Sequence, residues 1–117
     1  MGEDMEILQA PITVSILTEQ YQNNFSDMIK GVVDIERGLL AIDAELHSDL
    51  ESLLLDAGSR QEALWGINLY PEEEGEDLVE FDSLINIRPG QGNRSRGVSD
   101  PKIQQRIWDV VNKWILQ

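Results

Sequence analysis

Between Gly31 and Asp43 the chain reads Gly-Val-Val-Asp-Ile-Glu-Arg-Gly-Leu-Leu-Ala-Ile-Asp, and this segment constrains the fold most strongly. Two apolar runs flank Arg37-Gly38, so the pattern predicts a hairpin that turns at that pair. With a two-residue loop, Glu36 faces Leu39, Ile35 faces Leu40 and Val33 faces Ile42. Alternation then sends Val33, Ile35, Leu40 and Ile42 to one side. Asp34, Glu36 and Asp43 go to the other, beside Val32, Leu39 and Ala41, where the carboxylates are expected to line a solvated face. A one-residue slip would mix the two sets, so the pattern itself opposes it.

Further strands follow from the same period. Met5–Gln9 reads as a short strand ending before Pro11. In Leu64–Tyr70, Trp65, Ile67 and Leu69 alternate against Leu64, Gly66, Asn68 and Tyr70. Leu78–Ile87 is expected to extend as one strand, with Val79, Phe81, Ser83, Ile85 and Ile87 sharing a face. The intervening Pro71–Asp77 is an acidic loop.

Helical spacing appears three times. Leu17, Tyr21, Asn24 and Met28 predict a helix capped by Ser15 or Thr18 and ending near Ile29 or Gly31. Ser48-Asp-Leu-Glu51 has the spacing of a capping box, opening a helix with Leu50, Leu53, Leu54 and Ala57 on its apolar face and Gly58 as its stop. Asp100-Pro101 opens the last helix, whose core stripe is Ile103, Ile107, Val110, Val111 and Trp114. The order β-α-β-β-α-β-β-α predicts an α+β fold. Its sheet is mostly antiparallel, four- to five-stranded, and covered on one face by about three helices. A chain of 117 residues is expected to form a single domain over 1–117.

Charge narrows the function. The net charge is −13, which repels phosphate backbones and anionic membranes, so neither nucleic acid nor a membrane is the expected partner. No apolar run approaches the roughly 20 residues a bilayer span requires. The absence of cysteine excludes a disulfide framework and thiolate chemistry and favours the cytoplasm. Met5 can serve as a second start, which would make Met1–Asp4 an extension.

The distribution of charge is uneven. Residues 1–82 hold 20 acidic and 3 basic side chains, whereas residues 83–117 hold 2 and 6. The reversal centres on Arg88-Pro-Gly-Gln-Gly-Asn-Arg-Ser-Arg-Gly97. Its glycines permit close backbone approach, and its guanidinium groups suit carboxylate or phosphate. Arg88, Asn93, Arg94, Ser95 and Arg96 are therefore the candidate ligand-binding residues, for a small anion or an acidic partner segment. The competing reading is internal, with the arginines paired to carboxylates such as Glu80 and Asp82. The glycine spacing matches neither a Walker loop nor a dinucleotide fingerprint.

Asp34, Glu36, Asp43, Glu45, His47 and Asp49 form a second set. Oxygen-rich clusters suit hard divalent cations, and His47 is the chain's one imidazole base. No metal motif is present, so neither metal nor cofactor is expected. Ser83, Ser95 and Ser99 are nucleophile candidates by type only, and no triad assembles by spacing. Gly66, within a strand, leaves room for a neighbouring ring or backbone. The polar residues Asn68, Tyr70, Glu80, Asp82, Asn86 and Arg88 fit a wet sheet face.

Several blocks together carry a resemblance: Val32-Val33-Asp34-Ile35-Glu36, Glu45-Leu46-His47, Leu64–Pro71, Phe81-Asp82-Ser83, Ile87-Arg88-Pro89 and Gly92-Asn93-Arg94-Ser95-Arg96. The chain resembles a family of short uncharacterised prokaryotic proteins, a domain of unknown function, over nearly its whole length from Met5. In that family two glycines precede the Glu-Leu-His block, where this chain has Asp43-Ala44. The resemblance implies no activity, cofactor or catalytic residue. Three functions stay open: an anion-binding domain, a metal- or His-dependent hydrolase or nuclease-like enzyme, and a homo-oligomeric interaction protein.

Overall fold

The computed structural model describes residues 4–117; Met1, Gly2 and Glu3, part of the suggested extension, lie outside the described residues. The elements in order are β1 (Glu6–Ile7), β2 (Ile12–Thr13), α1 (Val14–Gln20), β3 (Ile29–Asp34), β4 (Leu39–Ile42), α2 (His47–Asp56), β5 (Leu64–Leu69), β6 (Val79–Glu80), α3 (Pro101–Trp114) and β7 (Ile115–Leu116). Five strands form an antiparallel sheet in the order β1-β4-β3-β5-β6. β2 and β7 pair in parallel, setting the start of α1 beside the end of α3. The fold is α+β, as the element pattern predicts. No helix among the described residues is long and apolar enough to cross a membrane.

Helices cover both faces of the sheet, not one. Val33, Leu40, Ile42, Trp65, Ile67 and Leu69 pack with Leu17 of α1 and with Ile107, Val110, Val111 and Trp114 of α3. On the reverse, Val32, Ala41 and Leu64 pack with Leu50 and Leu54 of α2. The cause lies in the strands: Val32, Leu39, Ala41 and Leu64 make β3, β4 and β5 apolar on their second face too. Such runs require cover on both sides.

The hairpin keeps its predicted faces but not its register. Val33 pairs with Leu40 and Gly31 with Ile42, so the loop holds the four residues 35–38. The Asp34 carboxylate causes this by accepting from the N–H of Glu36 and of Arg37, both at 2.9 Å, and from Ser59 Oγ at 2.6 Å. A slip of two leaves every side chain on its own face. Helix α3 holds the loop from outside: Trp114 Nε1 donates to Gly38 O and Arg106 Nη2 to Ile35 O. Asp34 is therefore buried at 0% exposure and Asp43 at 2%, against the expected solvated face, while Glu36 is exposed.

Three other boundaries move. The first helix ends at Gln20, capped by Thr13 instead of Ser15 or Thr18, because Asn23 and Asn24 leave the helix to bind Asp43. Helix α2 starts at His47 with Leu46 at its N-cap and no side-chain cap, so Ser48 lies inside the first turn and no capping box forms. Its end is as predicted: Gly58 takes φ 100°, with Ser59 N donating to Leu54 O and Gly58 N to Leu55 O. The last predicted strand stops at Glu80 and gives way to a helical turn at Leu84–Asn86. At the start of α3, Asp100 accepts from Lys102 N at 2.8 Å, as its sequence position predicts.

Asp43 stands where the resembled family carries glycine and has φ 73°, the one positive φ outside glycine among the described residues. The carboxylate holds this conformation by accepting from both Asn23 and Asn24. We expect Asp43→Ala to cost about 2–3 kcal/mol, since it loses these bonds and keeps the strained backbone. Asp43→Gly should cost less, because it relieves the backbone strain. Urea denaturation checks the order; equal losses would show that the φ carries no strain.

Candidate functional site

Gly66 sits mid-strand in β5 on the α2 face of the sheet. A Cβ there would lie 2.5 Å from both Ser83 Cβ and Ser83 Oγ, and 3.2 Å from His47 Cδ2. The missing side chain is therefore the space in which an imidazole and a serine settle against the strand. A strand glycine predicts room for a neighbouring ring or backbone; the imidazole edge takes part of that room, and the Ser83 side chain comes closer still.

His47, the first residue of α2, arrives there because Leu50 and Leu54 bury on the sheet behind it. Its Nε2 lies 2.8 Å from Ile67 O, and a carbonyl only accepts, so Nε2 carries the proton. Nδ1 is left as an acceptor. Burial lowers the imidazole pKa from 6.5 to about 4; nearby Lys30 adds to this, while Ile67 O and the Asn68 side chain oppose it. His47 is neutral at pH 7.

This has a consequence for stability. The unfolded chain protonates His47 near pH 6.5 and the folded chain only near pH 4, so acidification between these values favours unfolding. The contribution is fully present above pH 6.5 and lost as pH falls to about 4. At about 1.4 kcal/mol per pH unit the interval corresponds to roughly 3 kcal/mol. Wild type should lose that much more stability than His47→Gln between pH 7 and 4; parallel curves would contradict the burial.

The chain from Phe81 to Gly97 forms the opposite wall. Ser83 N donates to Arg96 O at 3.0 Å, and Ser83 Oγ accepts from Ile85 N at 3.3 Å. β6 covers β5 only at Asn68 and Leu69, so the edge at Gly66 needs another partner. Asn86 supplies it: Oδ1 accepts from Gly66 N at 2.8 Å, and Nδ2 donates to Gly66 O at 3.0 Å and Arg96 O at 2.9 Å. A side-chain amide thus replaces a strand, and for that reason the predicted strand ends early. Further along, Glu80 accepts from Asn68 Nδ2 and Tyr70 OH; burial, then Glu80, pushes the Tyr70 pKa up to about 12.

The five arginine-loop candidates are placed differently from one another. Arg88 is half-buried, donating to Gln61 O and Leu64 O with its guanidinium 4.3 Å from the Trp65 ring centre. Asn93 is 3% exposed: Nδ2 donates to Asn86 O, Ser95 O and Gly97 O, and Oδ1 accepts from Ser99 N and Ser99 Oγ. Ser95 Oγ accepts from Gly97 N. Arg94 is exposed and makes no ion pair among the described residues. Arg96 pairs with Asp82 at 2.7 Å at the surface.

Arg96 also borders a cleft of about 270 Å³. Its polar lining is His47, Ser48 and Ser83, its cations are Lys30 and Arg96, and Leu46, Leu84 and Ile85 form apolar lips. Leu46 is 55% and Leu84 67% exposed. The cleft opens at the start of α2, where no side chain caps the first-turn N–H groups. A larger cleft of about 460 Å³ elsewhere is bordered by Glu72, Glu73 and Glu74 and, among the described residues, by no cation, so it is unsuited to an anion. Lys30, Ser48 and Leu84 were not among the sequence candidates; only Lys30, an isolated cation in an acidic strand region, carried a signal.

The acidic set does not converge. Asp34 serves the hairpin loop, Asp43 holds Asn23 and Asn24, and Glu45 is exposed. Among the described residues no group of three or more His, Cys, Asp or Glu side chains is placed to hold a metal ion. No hydrogen bond joins Ser83 and His47, although both touch the Gly66 position.

Fold and cleft define an α+β protein whose antiparallel sheet lies between helices, with a basic-edged recess where one helix begins. Residues 6–114 match the family described as protein of unknown function (DUF5674), and the chain belongs to that family. No curated protein and no solved structure matches the chain significantly.

Proposed function

We propose that this protein is a binding domain for a small anionic ligand, held in the cleft between the start of α2 and the Ser83–Arg96 wall. One observation carries this reading: Lys30, Arg96 and the uncapped first turn of α2 meet at one recess in a chain of net charge −13. Local field outweighs the total there, because about 8 Å of physiological saline screens the distant carboxylates. Asp82 holds Arg96 at the rim, and an incoming anion shares that guanidinium or displaces the carboxylate. Arg94 contributes to approach, while Arg88, Asn93 and Ser95 build the wall behind. The cysteine-free composition suits work in the cytoplasm.

Thermal-shift titration with acetate, phosphate and citrate tests this. At least one should stabilise the wild type saturably. Lys30→Gln and Arg96→Gln should each weaken binding about tenfold, the loss of one charge-assisted contact. Arg94→Gln should weaken it less than threefold. Equal losses from all three would point to a diffuse basic surface in place of the cleft.

A further inference from the structure

Resting on the anion-binding reading, we infer that the ligand is a small monocarboxylate bearing an apolar group, its charge toward Lys30 and Arg96 and its apolar part between Leu46 and Leu84. Charge count argues for a single negative charge. Among the described residues only two cations border the cleft, one already shares its guanidinium with Asp82, and His47 is neutral at pH 7. A dianion would leave one charge uncompensated in a chain that already carries a net −13.

The lips argue for the apolar part. Leu46 and Leu84 are two of the five large hydrophobic side chains that the described residues expose, and both stand at this opening with Ile85 beside them. Leu84 is held outward by its place in the helical turn that Ser83 starts, with Ser83 Oγ accepting from Ile85 N. Binding would desolvate both leucines, a gain absent for inorganic anions. A recess of about 270 Å³ limits the ligand to a small molecule, below the range that drug-sized ligands occupy.

Four probes separate the parts of this claim: 4-methylpentanoate, acetate, inorganic phosphate and 4-methylpentanol, titrated calorimetrically into wild type and Leu84→Glu. We expect 4-methylpentanoate to bind at least tenfold more tightly than each of the other three. Leu84→Glu, at an exposed site, should weaken 4-methylpentanoate at least tenfold while keeping the wild-type fold by circular dichroism. Phosphate binding with 4-methylpentanoate silent would overturn this inference and leave the anion-binding reading intact. Alcohol binding as tightly as the acid would overturn it from the other side. Silence from every probe would remove both readings.

Discussion

Gly66→Ala is expected to destabilise the protein by about 3 kcal/mol and to abolish binding in the cleft. The new methyl would meet Ser83 Cβ at 2.5 Å, a contact with the base of a short side chain that cannot rotate away. Ser83 cannot easily retreat, since its N–H is bonded to Arg96 O and its hydroxyl starts the next turn. His47 Cδ2, at 3.2 Å, closes the other side. Chemical denaturation gives the loss directly. The double variant Gly66→Ala/Ser83→Gly should recover at least half of it, because the clash with Ser83 disappears while only one modest hydrogen bond is sacrificed. A single-variant cost under 1 kcal/mol, or no recovery in the double, would show that the wall moves freely and that the close approach is not structural.

Asn93→Ala should be costlier still, about 4 kcal/mol, since each buried polar group left without a partner costs roughly 1–3 kcal/mol. One amide serves three carbonyls through Nδ2 and two donors of Ser99 through Oδ1. Those partners span Asn86 to Ser99, so the loss reaches both the Asn86 amide against Gly66 and the run into α3. Asn93→Asp should do no better. It would turn a carboxylate oxygen toward three carbonyl oxygens, which repel it. Hydrogen exchange at Ser99 and Gly66 reads both ends: faster exchange at both is expected, and a change confined to Ser99 would mean that the wall is held from elsewhere.

Asn93 also shows how far the sequence could be read. A glycine-spaced loop rich in arginine signals charged side chains near exposed backbone, and sequence cannot separate a ligand's cradle from a loop folded on itself. Here it does some of each: Asn93 and Arg88 are spent on carbonyls of this chain, Arg96 borders the cleft, and Arg94 lies open. Gly66 was more legible, because a glycine amid Trp65, Ile67 and Leu69 has few causes other than something packed against it. What packs there was not legible, since His47 and Ser83 are 36 residues apart and meet only when α2 and the last wall fold onto one sheet face.

The fold followed strand alternation and helical stripes where they were strong, as in β5 and α3, and departed where polar side chains stood in for backbone. Asp34 lengthened the hairpin loop, Asn86 replaced a strand, and Asn23 with Asn24 cut the first helix short. Each is a side chain bonding the main chain or a turn in place of regular pairing, a competition that periodicity does not record. The two-sided helical cover was present in the pattern. Val32, Ala41 and Leu64 on the second face were apolar enough to require it.

If an anion enters at the start of α2, amide chemical-shift mapping will place it there. During titration with 4-methylpentanoate and, separately, phosphate, we expect saturable shifts at His47, Ser48, Gly66, Ser83 and Arg96 with little change at Arg94. Shifts centred on Arg94 and Gly92, with His47 and Ser48 silent, would contradict it and assign the anion to the open loop.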